Sequence, residues 1–213
     1  MEFYIKNGVL LKYRENSTHV VVTEGVLEIG KIAFRTHENI KSISFPEGMK
    51  KLDGQSIDFS TLEYISIPSS LEEITNLNNI ENSKIQFNEY EDGLYLGNEE
   101  NKYIILAKII DEDVDYFKVN DNTRIIMSEV FCNCASLEEI DLGEVEYIGM
   151  NAFSGCKDLK EIFIPKSVGR IENGAFNGCT SLKIYAESKC TKEDWGSRWN
   201  PMKRPVVWDS KRS

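Results

Sequence analysis

The feature that most limits what this chain can become is a set of columns. Written one under another, residues 125–149, 150–172 and 173–185 align Phe131, Phe153 and Phe176, and then Cys134, Cys156 and Cys179. Leu137, Leu159 and Leu182 make a third column, and Ile140, Ile162 and Ile184 a fourth. The phenylalanines are spaced by 22 and then 23 residues. A unit that short cannot bury an apolar face alone, so repetition at this period means a solenoid, each coil covering the one before it. The expected class is a β-rich α/β repeat solenoid of ~22–23-residue repeats.

The pattern extends toward the N-terminus. Residues 4–13 read as a β-hairpin turning at Asn7-Gly8, and residues 20–22 as the next strand. Gly25–Phe34 matches Ser167–Phe176, with Ile29 on Ile171 and Ala33-Phe34 on Ala175-Phe176. Ile40, Ile43 and Phe45 recur as Leu62, Ile65 and Ile67, and Pro46 recurs as Pro68. Proline ends each of these strands because it has no amide to donate. An eroded copy follows over residues 76–87, with its strand at Ile85–Phe87. Leu94–Leu96 and Tyr103–Ile109 then predict a β-hairpin inserted into the array. After it, residues 117–131 copy residues 20–34 at a constant offset of 97. The chain is therefore read as a duplicated module in one continuous solenoid: residues 1–88, residues 89–190 and a C-terminal cap over 191–213. In that cap, Thr191–Asp194 is a capping-box pattern that predicts a short helix carrying Trp195 and Trp199 on one face. Pro205–Trp208 reads as a last strand.

Composition narrows the function. A net charge of -10 opposes phosphate backbones, so nucleic acid is not an expected partner. Charge is uneven: residues 89–121 hold ten acids against three lysines, and residues 189–213 hold seven Lys/Arg against three acids. No apolar run approaches the ~20 residues of a membrane span, so no membrane insertion is expected. With no leader or anchor visible and an odd number of cysteines, the expected location is the cytoplasm, or the cell surface or secreted fraction if the chain is part of a longer one. The three columned cysteines read as reduced core thiols. His19 and His37 are too far from them for a zinc site, and no metal or cofactor is expected. Asp111, Asp113 and Asp115 alternate like the start of a calcium loop, but Tyr116 stands where that loop needs glycine and Asn122 where it needs glutamate. No catalytic motif occurs, and no enzyme is expected.

Alternation along the strands turns Ser42, Ser44, Tyr64, Ser66, Lys84 and Gln86 outward in the first half. In the second half it turns out Glu139, Asp141, Glu161, Phe163, Lys183 and Tyr185. Exposed aromatics rimmed by polar groups anchor protein interfaces, so Tyr64, Glu139, Asp141, Glu161, Phe163, Lys183 and Tyr185 are the candidate partner-binding residues.

The pattern L-x-x-I-x-I-P-x-S-V-x-x-I-x-x-x-A-F-x-x-C over Leu159–Cys179, the hairpins that feed it, and the W-x-x-x-W-N…PVVW ending over Trp195–Trp208 resemble the BspA-like leucine-rich repeats. The first half departs from the pattern: Ser56-Ile57 replace Ala-Phe, and Glu38 is read at the cysteine position. The resemblance implies a right-handed leucine-rich-repeat solenoid with a parallel sheet on its concave side. It implies recognition of a protein partner, often by a bacterial surface or secreted adhesin-like protein binding host protein or glycan. It implies no catalytic residues.

Overall fold

Asn7 and Gly8, both in the left-handed region at φ +52° and +77°, close the first hairpin. It joins β1 (Phe3–Lys6) to β2 (Val9–Tyr13), antiparallel with one irregularity between Tyr4 and Ile5. Two positive φ values in a two-residue turn match the right-handed twist of the flanking strands, which is why Asn-Gly marks the turn in the sequence. The computed structural model describes residues 2–75, 80, 83–188 and 195–211. They form two compact units, Met1–Asn88 with Leu96–Ile104, and Glu89–Tyr95 with Ile105–Ser213.

In the first unit each coil contributes two short strands. One set is β3 (His19–Val21), β5 (Ser42–Ser44) and β7 (Tyr64–Ser66), paired in parallel with Val20, Ile43 and Ile65 in register. The other is β4 (Glu28–Ile29), β6 (Lys51–Asp53) and β8 (Glu73–Thr75), which follow β2 in parallel with Leu10, Ile29, Leu52 and Ile74 in register. The in-register apolar residues are buried, so alternation with period two sets which side chains meet the core.

The second unit repeats the plan. β12 (Tyr116–Lys118) pairs with β14 (Glu139–Asp141), and β16 (Glu161–Ile164) pairs with β18 (Lys183–Ala186), which pairs in turn with β19 (Val206–Val207), all in parallel. The other sheet runs β17 (Arg170–Ile171), β15 (Tyr147–Ile148), β13 (Ile125–Ile126), β11 (Ile105–Ile109), β10 (Gly93–Leu96) and β9 (Asn88–Tyr90). The inserted hairpin is thus present as β10 and β11, and it extends this sheet. β9 is a third strand that the sequence pattern did not assign. The strand expected at Ile85–Phe87 is absent, although Gln86 N–H still reaches the Glu63 carbonyl at 3.2 Å.

The phenylalanine column is the axis of the core. Phe131 and Phe153 stack at 5.0 Å and 7°, and Phe153 and Phe176 at 5.6 Å and 9°. Their backbones are tied coil to coil: Phe131 N–H donates to Ala152 O (2.8 Å) and Phe153 N–H to Ala175 O (2.9 Å). Tyr13 and Phe34 make the equivalent bonds in the first unit, to Ala33 O (2.8 Å) and Ser56 O (3.1 Å). The columned cysteines are free and buried. Cys156 Sγ donates to Phe131 O at 3.1 Å and Cys179 Sγ to Phe153 O at 3.0 Å. Burial pushes the Cys134 thiol up to about 11, and contact with the Cys179 thiol together with burial pushes Cys156 up as well.

The column position in the first unit belongs to His37, not Glu38. His37 N–H donates to Phe34 O at 2.9 Å, as Cys134 N–H does to Phe131 O at 3.2 Å, and its ring lies 4.8 Å from that of Tyr13. The capping-box pattern Thr191–Asp194 and Cys190 lie outside the described residues. From Trp195 onward the chain turns and bends without helix, so Trp195 and Trp199 do not share a helical face. Instead this segment supplies one more rung. Trp199 O accepts from Phe176 N–H at 3.3 Å, and the Trp199 ring closes the aromatic column against Phe176, centroids 6.0 Å apart. Trp195 is buried and packs on Trp199 at 4.8 Å and Trp208 at 5.9 Å. Amphipathic rings thereby cover the apolar end of the last coil.

Candidate functional site

The outward residues of the second unit form two rows. The parallel registers set Tyr116 beside Glu139 and Lys118 beside Asp141, then Glu161 beside Lys183 and Phe163 beside Tyr185. Tyr185 is in turn beside Val207. The inward partners Phe117, Ile140, Ile162 and Ile184 are buried, so the core holds the strands and leaves both rows facing out. Tyr116 is 47% exposed and Val207 40%.

These rows border a groove of about 740 Å³, lined by Tyr116, Glu139, Asp141, Glu161, Phe163 and Tyr185, with Glu138, Lys160 and Lys211 at its sides. Five of the seven residues predicted from the sequence therefore meet in one place. Lys183 borders it through Tyr185: its ammonium lies 4.6 Å from the centre of that ring. The Tyr185 hydroxyl donates to Glu161 Oε1 at 3.2 Å. Contact with Tyr185 and, more weakly, the Glu161 charge push the Lys183 ammonium up. Tyr64, 40% exposed, sits in the first unit beside Ser42, whose hydroxyl meets His19 Nδ1 at 2.8 Å.

Tyr116 was missed by the sequence reading. The signal was there: the offset of 97 that aligns Phe117 with Val20 also aligns Tyr116 with His19, which the register places beside Ser42. Among the described residues no group of three or more His, Cys, Asp or Glu is placed to hold a metal ion. The Asp111 carboxylate is turned to its own loop, accepting from Asp113 N–H at 2.9 Å. Among the described residues no helix is long and apolar enough to cross a membrane.

The sequence model of the BspA type leucine rich repeat region matches residues 6–95 and 111–192, in six copies. The chain belongs to this family. Solved structures similar to this BspA-type chain include a leucine rich cell surface protein from Faecalibacterium prausnitzii, 18% identical over 91% of this chain and 60% of that one, with a TM-score of 0.45. Another is a leucine-rich repeat protein from Bacteroides ovatus, 21% identical over 86% and 52%, with a TM-score of 0.39. The pneumococcal vaccine antigen PcpA is a third, 19% identical over 84% and 46%, with a TM-score of 0.47. The chain spans about half to three-fifths of the length of these three. No curated protein matches it.

Membership corrects one expectation. A cytoplasmic location was read from the lack of a visible leader and the odd cysteine count, but BspA-type repeats are borne by cell-surface and secreted bacterial proteins. The cysteine count does not report a compartment, because packing keeps the buried columned thiols Cys134, Cys156 and Cys179 from oxidants. In the BspA-type frame the chain is a repeat scaffold, and its chemistry lies in the side chains it displays.

Proposed function

We propose that this BspA-type chain is a non-enzymatic binding module that recognises a protein partner through the outward, concave-side rows of its strands. Glu139, Asp141, Glu161, Phe163, Lys183 and Tyr185 would carry the contact in the second unit, with Tyr116 added to them, and Tyr64 in the first. One observation supports the reading most: aromatic side chains from three of four successive coils line a groove rimmed by charge, on strands whose inward residues are buried. Rigid aromatics give large contact area at low entropic cost, which is what an interface anchor needs.

The experiment is capture from host and self lysates with the wild-type chain and with a Phe163→Asp/Tyr185→Asp variant shown by circular dichroism to be folded. A partner held by the wild type and lost by the variant is the expected result. A partner held equally by both would overturn the assignment of the face. A second reading, a structural segment of a bacterial cell-surface or secreted adhesin, is supported by the family. Protease shaving of intact cells tests it: digestion of the chain supports the surface setting, and full protection opposes it.

A further inference from the structure

Neighbouring coils in this protein are tied by ion pairs of opposite sign at 22-residue spacing. Lys41 meets Glu63 at 3.1 Å, Lys50 meets Glu72 at 2.6 Å and Lys51 meets Glu73 at 3.3 Å. In the second unit Arg124 Nε meets Glu146 at 2.9 Å, and Lys160 meets Glu138. One pair of positions inside the groove departs from this, beside the Lys160–Glu138 pair that keeps it. Glu139 and Glu161 also stand 22 residues apart, on successive coils, with the same sign. Like charges on neighbouring strands oppose folding unless something offsets them.

For Glu161 the chain supplies the offset: Lys183 is beside it in register and lies over Tyr185, whose hydroxyl Glu161 accepts. That is a carboxylate, a tyrosine and a cation in one cluster. Tyr116 beside Glu139 repeats the carboxylate and the tyrosine. Among the described residues no cation completes that pair. Lys118, the nearest cation along the strand, is drawn to Asp121 at 3.5 Å and faces Asp141 in register. The chain's own basic tail sends Lys211 to the side of the same groove.

We propose that the groove takes an extended, basic polypeptide segment of the partner, with a Lys or Arg side chain lying over Tyr116 and against Glu139. A cation over an aromatic face is attracted by the ring quadrupole, and the carboxylate beside it adds a charge-assisted hydrogen bond. Strand alternation on the partner turns every second residue to the groove, so basic residues at alternate positions are the pattern the groove fits. This inference rests on the reading of this face as the binding surface, and its test separates the two.

The test uses the full chain and three fluorescent ten-residue peptides: Arg-Ser alternating, Glu-Ser alternating and Gly-Ser alternating. Maltohexaose serves as a neutral glycan competitor. Expected are binding of the Arg-Ser peptide alone, weakening with salt, and an affinity roughly threefold to tenfold lower in each of Glu139→Gln and Tyr116→Ala. A Glu24→Gln/Glu99→Gln variant, which removes two exposed acids from the first unit, should bind as the wild type does. Equal loss in that control would reduce the effect to net charge and overturn the proposal, as would no loss in Tyr116→Ala. Displacement by maltohexaose would assign the groove to a glycan and overturn it too. A captured protein whose binding depends on Phe163 and Tyr185 but is unchanged by Glu139→Gln and Tyr116→Ala would overturn the basic segment and leave the face standing.

Discussion

Truncating Phe153 should be the most damaging single change in the second unit. The side chain is fully buried and stacks on Phe131 at 5.0 Å and Phe176 at 5.6 Å. Phenylalanine to alanine in a packed core costs about 3–5 kcal/mol. Two aromatic partners, each worth about 0.5–1.5 kcal/mol beyond area, put the Phe153→Ala variant at the upper end of that range. Against a stability of about 5–15 kcal/mol, this removes a large share. The column is continuous to Trp199, so the loss is felt at the end of the stack. All three tryptophans (Trp195, Trp199 and Trp208) lie in that last segment, and their fluorescence reports its unfolding. With a urea slope of about 2 kcal/mol/M, the midpoint should fall by about 2 M. Phe163→Ala, half-buried on the same coil, should cost under about 1 kcal/mol. If Phe153→Ala lowered the midpoint by no more than Phe163→Ala does, the column would not be the core that holds the coils.

Three further outcomes follow from the same geometry. Ser56 replaces the alanine of Ala33, Ala152 and Ala175, and its buried hydroxyl has no hydrogen-bond partner among the described residues, so Ser56→Ala should stabilise by about 1–2 kcal/mol in urea unfolding. A β-carbon added to Gly155 (φ +83°) would meet Asn133 Oδ1 at 2.5 Å, whereas at Gly143 (φ +58°) it would meet nothing within 4 Å. Gly143→Ala should therefore cost about 1 kcal/mol of backbone strain, and Gly155→Ala about 1 kcal/mol more, read as two melting curves. Cys134, Cys156 and Cys179 should resist alkylation at pH 8 in the folded chain and react once it is unfolded, as peptide mass spectrometry can read. Because burial raises the Cys134 thiol from 9.0 to about 11, the stability it contributes is full below pH 9 and lost as pH rises toward 11. A Cys134→Val variant should lack that part of the pH dependence.

The columns made most of the fold legible. Period and alternation are set by which residues are buried, and burial is what the letters Phe, Cys, Leu and Ile record. The Asn7-Gly8 hairpin was legible because φ > 0 at two successive positions selects those residues. Legibility failed where a rung is kept by the backbone alone. His37 stands three residues after Phe34, as each columned cysteine stands three after its phenylalanine, but with no thiol there to mark the column the position was read one residue late, at Glu38. Gln86 keeps a backbone bond to Glu63 without a strand forming, and apolar letters at Ile85 and Phe87 suggested a strand there. The tail was read as helix from the capping-box pattern at Thr191–Asp194, which lies outside the described residues, and the i, i+4 spacing of Trp195 and Trp199 is one that an extra coil capped by stacked indoles satisfies equally well. Of the site, the register rows were readable from alternation; Tyr116 was passed over because the copied segment was started one residue later, at Phe117.

The most direct test of the account is a hydrogen-exchange footprint of the chain with its captured partner. Protection confined to residues 116–118, 139–141, 161–164 and 183–186 is the predicted result. Protection on residues 125–126, 147–148 and 170–171 instead would place the partner on the other set of strands and contradict the account.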